Sequence, residues 1–129
     1  MMFAYQSQPL PNVCGQAVVA MVAGCPVDEV ITEIGRRKTF PSDLKRALKN
    51  RGWSMRPAKV QLPNVPDRPA ILRCWAVQNH KIISHWVLWT GQEILDPANC
   101  QRQRFGPDVA GSFYLIEQVT GDGGEANES

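Results

Sequence analysis

Residues 8–24, QPLPNVCGQAVVAMVAG, decide how the chain is read. Up to Val13 the segment is polar and carries Pro9 and Pro11, so it is extended. From Cys14 to Ala23 small and apolar residues run without a breaker, Ala17, Val18, Ala20 and Met21 among them. Gly24 follows as a stop. This pattern predicts a buried helix of about three turns that begins at a cysteine.

The helical signals continue downstream. Pro26 with Asp28-Glu29 opens a second helix, with Val27, Val30, Ile31 and Ile34 at helical spacing and Gly35 ending it. Ser42-Asp43 caps a third, whose inner face is Leu44, Ala47 and Leu48, until Gly52. Acids at the starts and bases near the ends suit the helix dipole. After Trp53 the character changes. A proline-rich connector, residues 62–69, leads into short apolar strands expected at Ala70–Val77, Ile82–Trp89, Glu93–Asp96 and Ser112–Val119. The expected fold is α+β, an N-terminal helical half packed on a C-terminal antiparallel β-sheet. Residues 1–120 read as a single domain, and residues 121–129 as a disordered acidic tail.

Composition narrows the function classes. The chain has 129 residues, 43% of them hydrophobic and 20% charged, with four Trp and a mean hydropathy of −0.26. That is an ordinary globule, and no apolar run approaches the ~18 residues of a spanning helix. No basic segment followed by an apolar stretch opens the sequence, so a cytoplasmic location is expected and no membrane partner. The four Cys (14, 25, 74, 100) form no CxxC pair. Neither a disulfide framework nor a structural zinc site is indicated, and no cofactor or metal is expected. Residues 36–59 hold nine Lys or Arg against one acid, Asp43. This basic stretch reads as a solvated helix face or as a docking face for an acidic protein partner.

A Cys–His nucleophilic site needs a thiol whose thiolate is stabilised, a His to take the proton, a group to orient that His, and oxyanion donors. Cys14 opens the first helix, where free amides and the dipole favour a thiolate, and Gly15 leaves room for a substrate. Gln8 lies six residues earlier, where its side-chain amide would fold back beside the Cys14 backbone amide as a second oxyanion donor. His85 starts one strand and Asp96 ends the next. A hairpin turning at Thr90-Gly91 pairs residues whose numbers sum to 181, which sets His85 opposite Asp96 on one face.

Gln8-(five residues)-Cys14-Gly15-Gln16-Ala17, Ser42-Asp43-Leu44-Lys45, Pro69-Ala70-Ile71, Ser84-His85-Trp86-Val87 and Leu95-Asp96-Pro97 occur in that order. Together they resemble the papain-like cysteine peptidases, closest to the double-glycine leader peptidases of bacteriocin exporters and their stand-alone relatives. The resemblance spans roughly residues 5–118. It implies a papain-like fold with Cys14 as nucleophile, His85 as base and acid, Asp96 as orienter and Gln8 as oxyanion donor. The chain departs from that group in having Ser84 where Gly usually precedes the His. The tail's Gly123-Gly124 is not read as a cleavage signal, because the apolar offsets expected upstream fall on Gly121 and Gln118.

Other assignments compete within the sequence. His80 is a rival base without a facing carboxylate, and Asn99 a rival orienter, since such sites accept Asn. Cys100 neighbours the site or is packed, whereas Cys25 and Cys74 read as core. Trp86 and Trp89 point to opposite faces of one strand, one toward the core. The leading expectation is a cysteine peptidase, a thiol hydrolase that cleaves a peptide or isopeptide bond of a peptide or protein substrate through an acyl-enzyme. The same site would serve an amidase, deamidase or acyl transferase. The alternative from another class is a non-catalytic binding or effector protein, docking through residues 36–59. Nucleic-acid binding is disfavoured, because only Phe40 and Trp53 interleave that basic stretch.

Overall fold

The computed structural model describes residues 3–58, 67–78, 80–98 and 110–119. The greater part of the proline-rich connector, Asn99, Cys100 and the acidic tail lie outside the described residues.

Among them the chain forms three helices followed by five strands. The helices are α1 (Cys14–Ala23), α2 (Val27–Ile34) and α3 (Pro41–Lys49), and the strands β1 (Trp53–Ala58), β2 (Ala70–Gln78), β3 (Lys81–Trp89), β4 (Ile94–Leu95) and β5 (Ala110–Gln118). They make one antiparallel sheet in the order β1-β5-β2-β3-β4. The architecture is α+β. No described helix is long and apolar enough to cross a membrane.

α1 carries no charged side chain, and its residues from Gly15 to Val22 are buried. Such a helix has no solvent face and must be covered all round. α2 and α3 cover one side and the sheet the other, through Ile71, Trp86, Leu88, Ile116 and Met55. The opposite face of the sheet gathers a smaller core, Ala70, Leu72, Cys74, Val87 and Phe113. Alternation along β3 therefore sends Trp86 toward the helices and Trp89 toward the smaller core.

Two local expectations are corrected. The third helix is entered at Pro41 rather than capped by Ser42-Asp43, because proline suits the first helical position. Asp43 instead sits one turn in, where its Oδ2 accepts the Phe40 amide at 2.8 Å and Arg37 at 3.0 Å, while Oδ1 takes Arg46 at 3.2 Å. Arg51 is likewise paired with Glu29 and Glu33, so part of the basic stretch is spent on the protein itself. Strand β1 has no counterpart among the expected strands. Its inward residues Trp53 and Met55 alternate with exposed Ser54 and Arg56, and Pro57 is tolerated because β1 is the outer strand.

The hydrogen bond from Arg37, then that from the Phe40 amide, hold the Asp43 carboxyl down at about 2 against the resistance of burial. A carboxyl lowered from 3.8 stabilises the fold when ionised, so its contribution is complete above about pH 4 and is lost as pH falls through 2. Asp43→Asn should lower stability at pH 7 by about 1–2 kcal/mol. In urea melts, the gap between variant and parent should close as pH falls from 4 toward 2.

Candidate active site

The approach to α1 is built from the residues before it. Asn12 takes a left-handed backbone with φ 69°, which asparagine tolerates better than most residues, and turns the extended segment into Val13 and the helix. No side chain caps the first turn of α1 and no acid stands in it. The amides at Cys14 and the next residues thus have no intrahelical acceptor. Gly15 is required by space. A Cβ there would strike the Thr39 hydroxyl and press on Leu44. Thr39, itself buried, offers its carbonyl to the Trp86 indole N–H at 3.4 Å. The loop carrying Thr39 is anchored from beneath by Gln16, whose buried amide nitrogen donates to the carbonyls of Gly35 and Arg37 at 2.7 and 2.8 Å.

His85 lies in β3, and its Nε2 meets Asp96 Oδ1 at 2.6 Å. The register behind this contact differs from the expected one. Leu88 faces Leu95 and Trp89 faces Ile94, a sum of 183 rather than 181, so the two loop residues are Gly91 and Gln92. Gly91 has φ 103°, the positive value that one favoured hairpin turn places at its first central residue. The Thr90 hydroxyl accepts the amides of Gln92 and Glu93, holding that turn. Asp96 is consequently diagonal to His85, not opposite it. A slip of two residues keeps a side chain on its face, and the diagonal of an antiparallel pair is within reach of long side chains.

Asp96 is fixed from several sides. Its Oδ1 also accepts the Ala98 amide at 2.9 Å, the Tyr5 hydroxyl donates to its backbone carbonyl at 2.7 Å, and the Gln8 amide donates to Pro97 O at 2.8 Å. The segment leading into α1 is therefore strapped to the loop that follows β4. Asp96 takes Nε2, which leaves Nδ1 facing away from it, and Cys14 is close enough to the ring to favour its charged form. At His85 the edge of β3 has no β4 residue beside it, since the β4 pairing covers only Leu88 and Trp89.

Burial of the His85 ring opposes its charge most strongly, yet hydrogen bonds and charge from Asp96 and Cys14 outweigh it and raise the imidazolium to about 9. Three of the four expected site residues, Cys14, His85 and Asp96, thus converge. Gln8 is near them through its backbone, and its side-chain nitrogen donates to Leu10 O at 3.0 Å while Oε1 is buried without a partner. His80 is exposed in the β2–β3 turn, five residues along β3 and so ~16 Å from His85. Cys74 is buried opposite His85, and Cys25 packs against the helical core. Tyr5 and Thr39 have no motif to betray them, because their roles depend on contacts across the fold, and Gln16, though inside the Cys14 motif, is given a role only by the loop it holds. No group of His, Cys, Asp or Glu among the described residues could hold a metal ion.

Two outcomes follow from this geometry. Gly15→Ala should cost about 1–3 kcal/mol by overpacking against Thr39, read as a lower melting temperature. A ring raised from 6.5 to about 9 stabilises the fold fully below pH 6.5 and loses that contribution as pH rises through 9. The His85 ring resonances should therefore titrate near 9, and Asp96→Asn should move the midpoint down.

No protein-family profile matches this chain, and no curated protein is similar to it in sequence.

Proposed function

We propose that the chain is a cytoplasmic cysteine peptidase of papain-like architecture. The observation that carries this reading is the His85 ring, held by Asp96 on Nε2 at 2.6 Å and close enough to Cys14 for the two to hold its charged form together. An ordinary cysteine thiol loses its proton near 8.5. A ring held in its charged form beside that thiol favours a thiolate–imidazolium pair, in which the Cys14 proton already rests on the ring.

In that pair His85 holds the proton, and the Cys14 thiolate attacks the scissile carbonyl carbon. The carbonyl oxygen becomes an oxyanion beside the first-turn amides of α1, which have no side-chain cap to compete for them. Gln8 is the second donor if its amide turns from Leu10 toward the substrate, a change supported by the buried, unpartnered Oε1 that its present position leaves. Collapse expels the amine, which takes the proton from His85 Nδ1, and leaves a Cys14 thioester. Water, deprotonated by His85, then attacks the thioester and restores the thiol. An amide, amine or alcohol acceptor in place of water gives the deamidase or transferase version of one site.

Iodoacetamide at pH 6, read by mass spectrometry, should label Cys14 at least about tenfold faster than Cys25 or Cys74, and His85→Ala should remove that preference. Equal labelling of the three thiols in folded protein overturns the proposal. With a peptide-based electrophilic probe, Cys14→Ala should abolish capture, whereas Asp96→Asn should reduce it less, because Asn still orients the ring.

A further inference from the structure

β2 places a second group of side chains on the helix-facing side of the sheet. Arg73 pairs with Trp86 and Trp75 with Ser84, so the two residues flank the position opposite His85. The Arg73 guanidinium lies over both indoles, 4.9 Å from the Trp75 ring centre and 5.4 Å from that of Trp86. Its Nε is sealed from solvent with no acceptor, and no carboxylate among the described residues pairs with the group. The terminal nitrogens are not sealed. A guanidinium packed against indoles, without a carboxylate, keeps N–H donors for a planar anion.

The stack is constructed rather than incidental. β5 skips a residue where Arg73 faces Ser112 and Cys74 faces Ala110, and the extra residue is Gly111. A Cβ on Gly111 would run into the Trp75 indole, while its backbone has no positive φ to demand glycine. Glycine is there to let Trp75 lie flat, and bulges of this kind re-aim side chains beside active sites. Trp75 keeps 41% of its surface exposed. Trp86, in turn, adjoins His85 and touches Thr39, which packs on Gly15 beside Cys14. Arg73 thus lies on the helix-facing side of the sheet, the side that carries Cys14, and is connected to it through Trp86 and Thr39.

We infer that Arg73 binds a carboxylate of the substrate, so that the site selects acyl compounds carrying an acidic side chain or a free chain terminus near the scissile bond. This rests on the reading of Cys14 and His85 as a hydrolase pair.

The test follows the Arg73 Nε–H and Trp75 indole resonances of the full chain by NMR. Three probes are titrated: acetyl-triglycine with a free C-terminus, acetyl-Gly-Gly-Glu amide, and acetyl-triglycine amide. Both resonances should shift saturably with one or both carboxylate probes, bound at least about tenfold more tightly than the amide. The tighter of the two identifies the source of the carboxylate. Arg73→Met, which keeps the stack without the charge, should erase the preference, and Arg73→Lys should bind severalfold more weakly. Equal response to the amide, no response to any probe, or an undiminished preference in Arg73→Met overturns the inference. Intact Cys14 selectivity without a carboxylate preference overturns it alone. A carboxylate preference without Cys14 selectivity overturns the hydrolase reading and leaves Arg73 an anion site.

Discussion

Burial of α1 is the constraint on which the rest depends. A ten-residue helix without a charge cannot face water, so two helices and one face of the sheet must close around it. Each buried Val or Met contributes on the order of 1.5–3 kcal/mol. That closure fixes where the helix begins. Its first turn brings Cys14 close enough to the His85 ring to favour the ring's charged form. A site assembled on two rigid elements holds its geometry better than one borne on loops.

The polar groups around that junction serve position more than stability. Gln16 reaches from inside α1 to hold the loop that presents Thr39, and Thr39 supports both Gly15 and Trp86. Tyr5 and the Gln8 backbone tie the entering segment to Asp96 and Pro97. Helical half and sheet are thus joined on both flanks of the Cys14–His85 pair. The unsatisfied oxygens of Gln16, Gln8 and Thr39 gather in this region. Buried polar atoms without partners carry a cost of about 1–3 kcal/mol each and concentrate where function demands them.

The charge distribution divides in two. Arg37 and Arg46 are committed to Asp43 at the start of α3, and Arg51 ties the turn after α3 to Glu29 and Glu33 of α2. Exposed pairs of this type contribute little individually, and only Asp43, nearly buried and bonded to the Phe40 amide, has its carboxyl strongly held. Arg73 belongs to the other class. It is held against two indoles, and no carboxylate among the described residues pairs with it.

The sequence by itself determined the helical half and singled out Cys14, His85 and Asp96 as candidate site residues. Apolar run, breaker and acid placement are local signals, and the structure ends α1 at Ala23 before Gly24 as they require. Period-two alternation also determined that His85 and Asp96 share a face, because parity survives a slip of two residues. Tertiary structure decided the register itself, since one side-chain hydroxyl at Thr90 and one positive φ at Gly91 choose among turns of similar energy. It decided β1 as well, whose proline and charges are acceptable only on an outer strand. Above all it decided the Tyr5, Thr39 and Arg73 contacts. These join residues up to 91 positions apart, and no spacing rule reaches across a fold whose closure is set by the burial of a single helix.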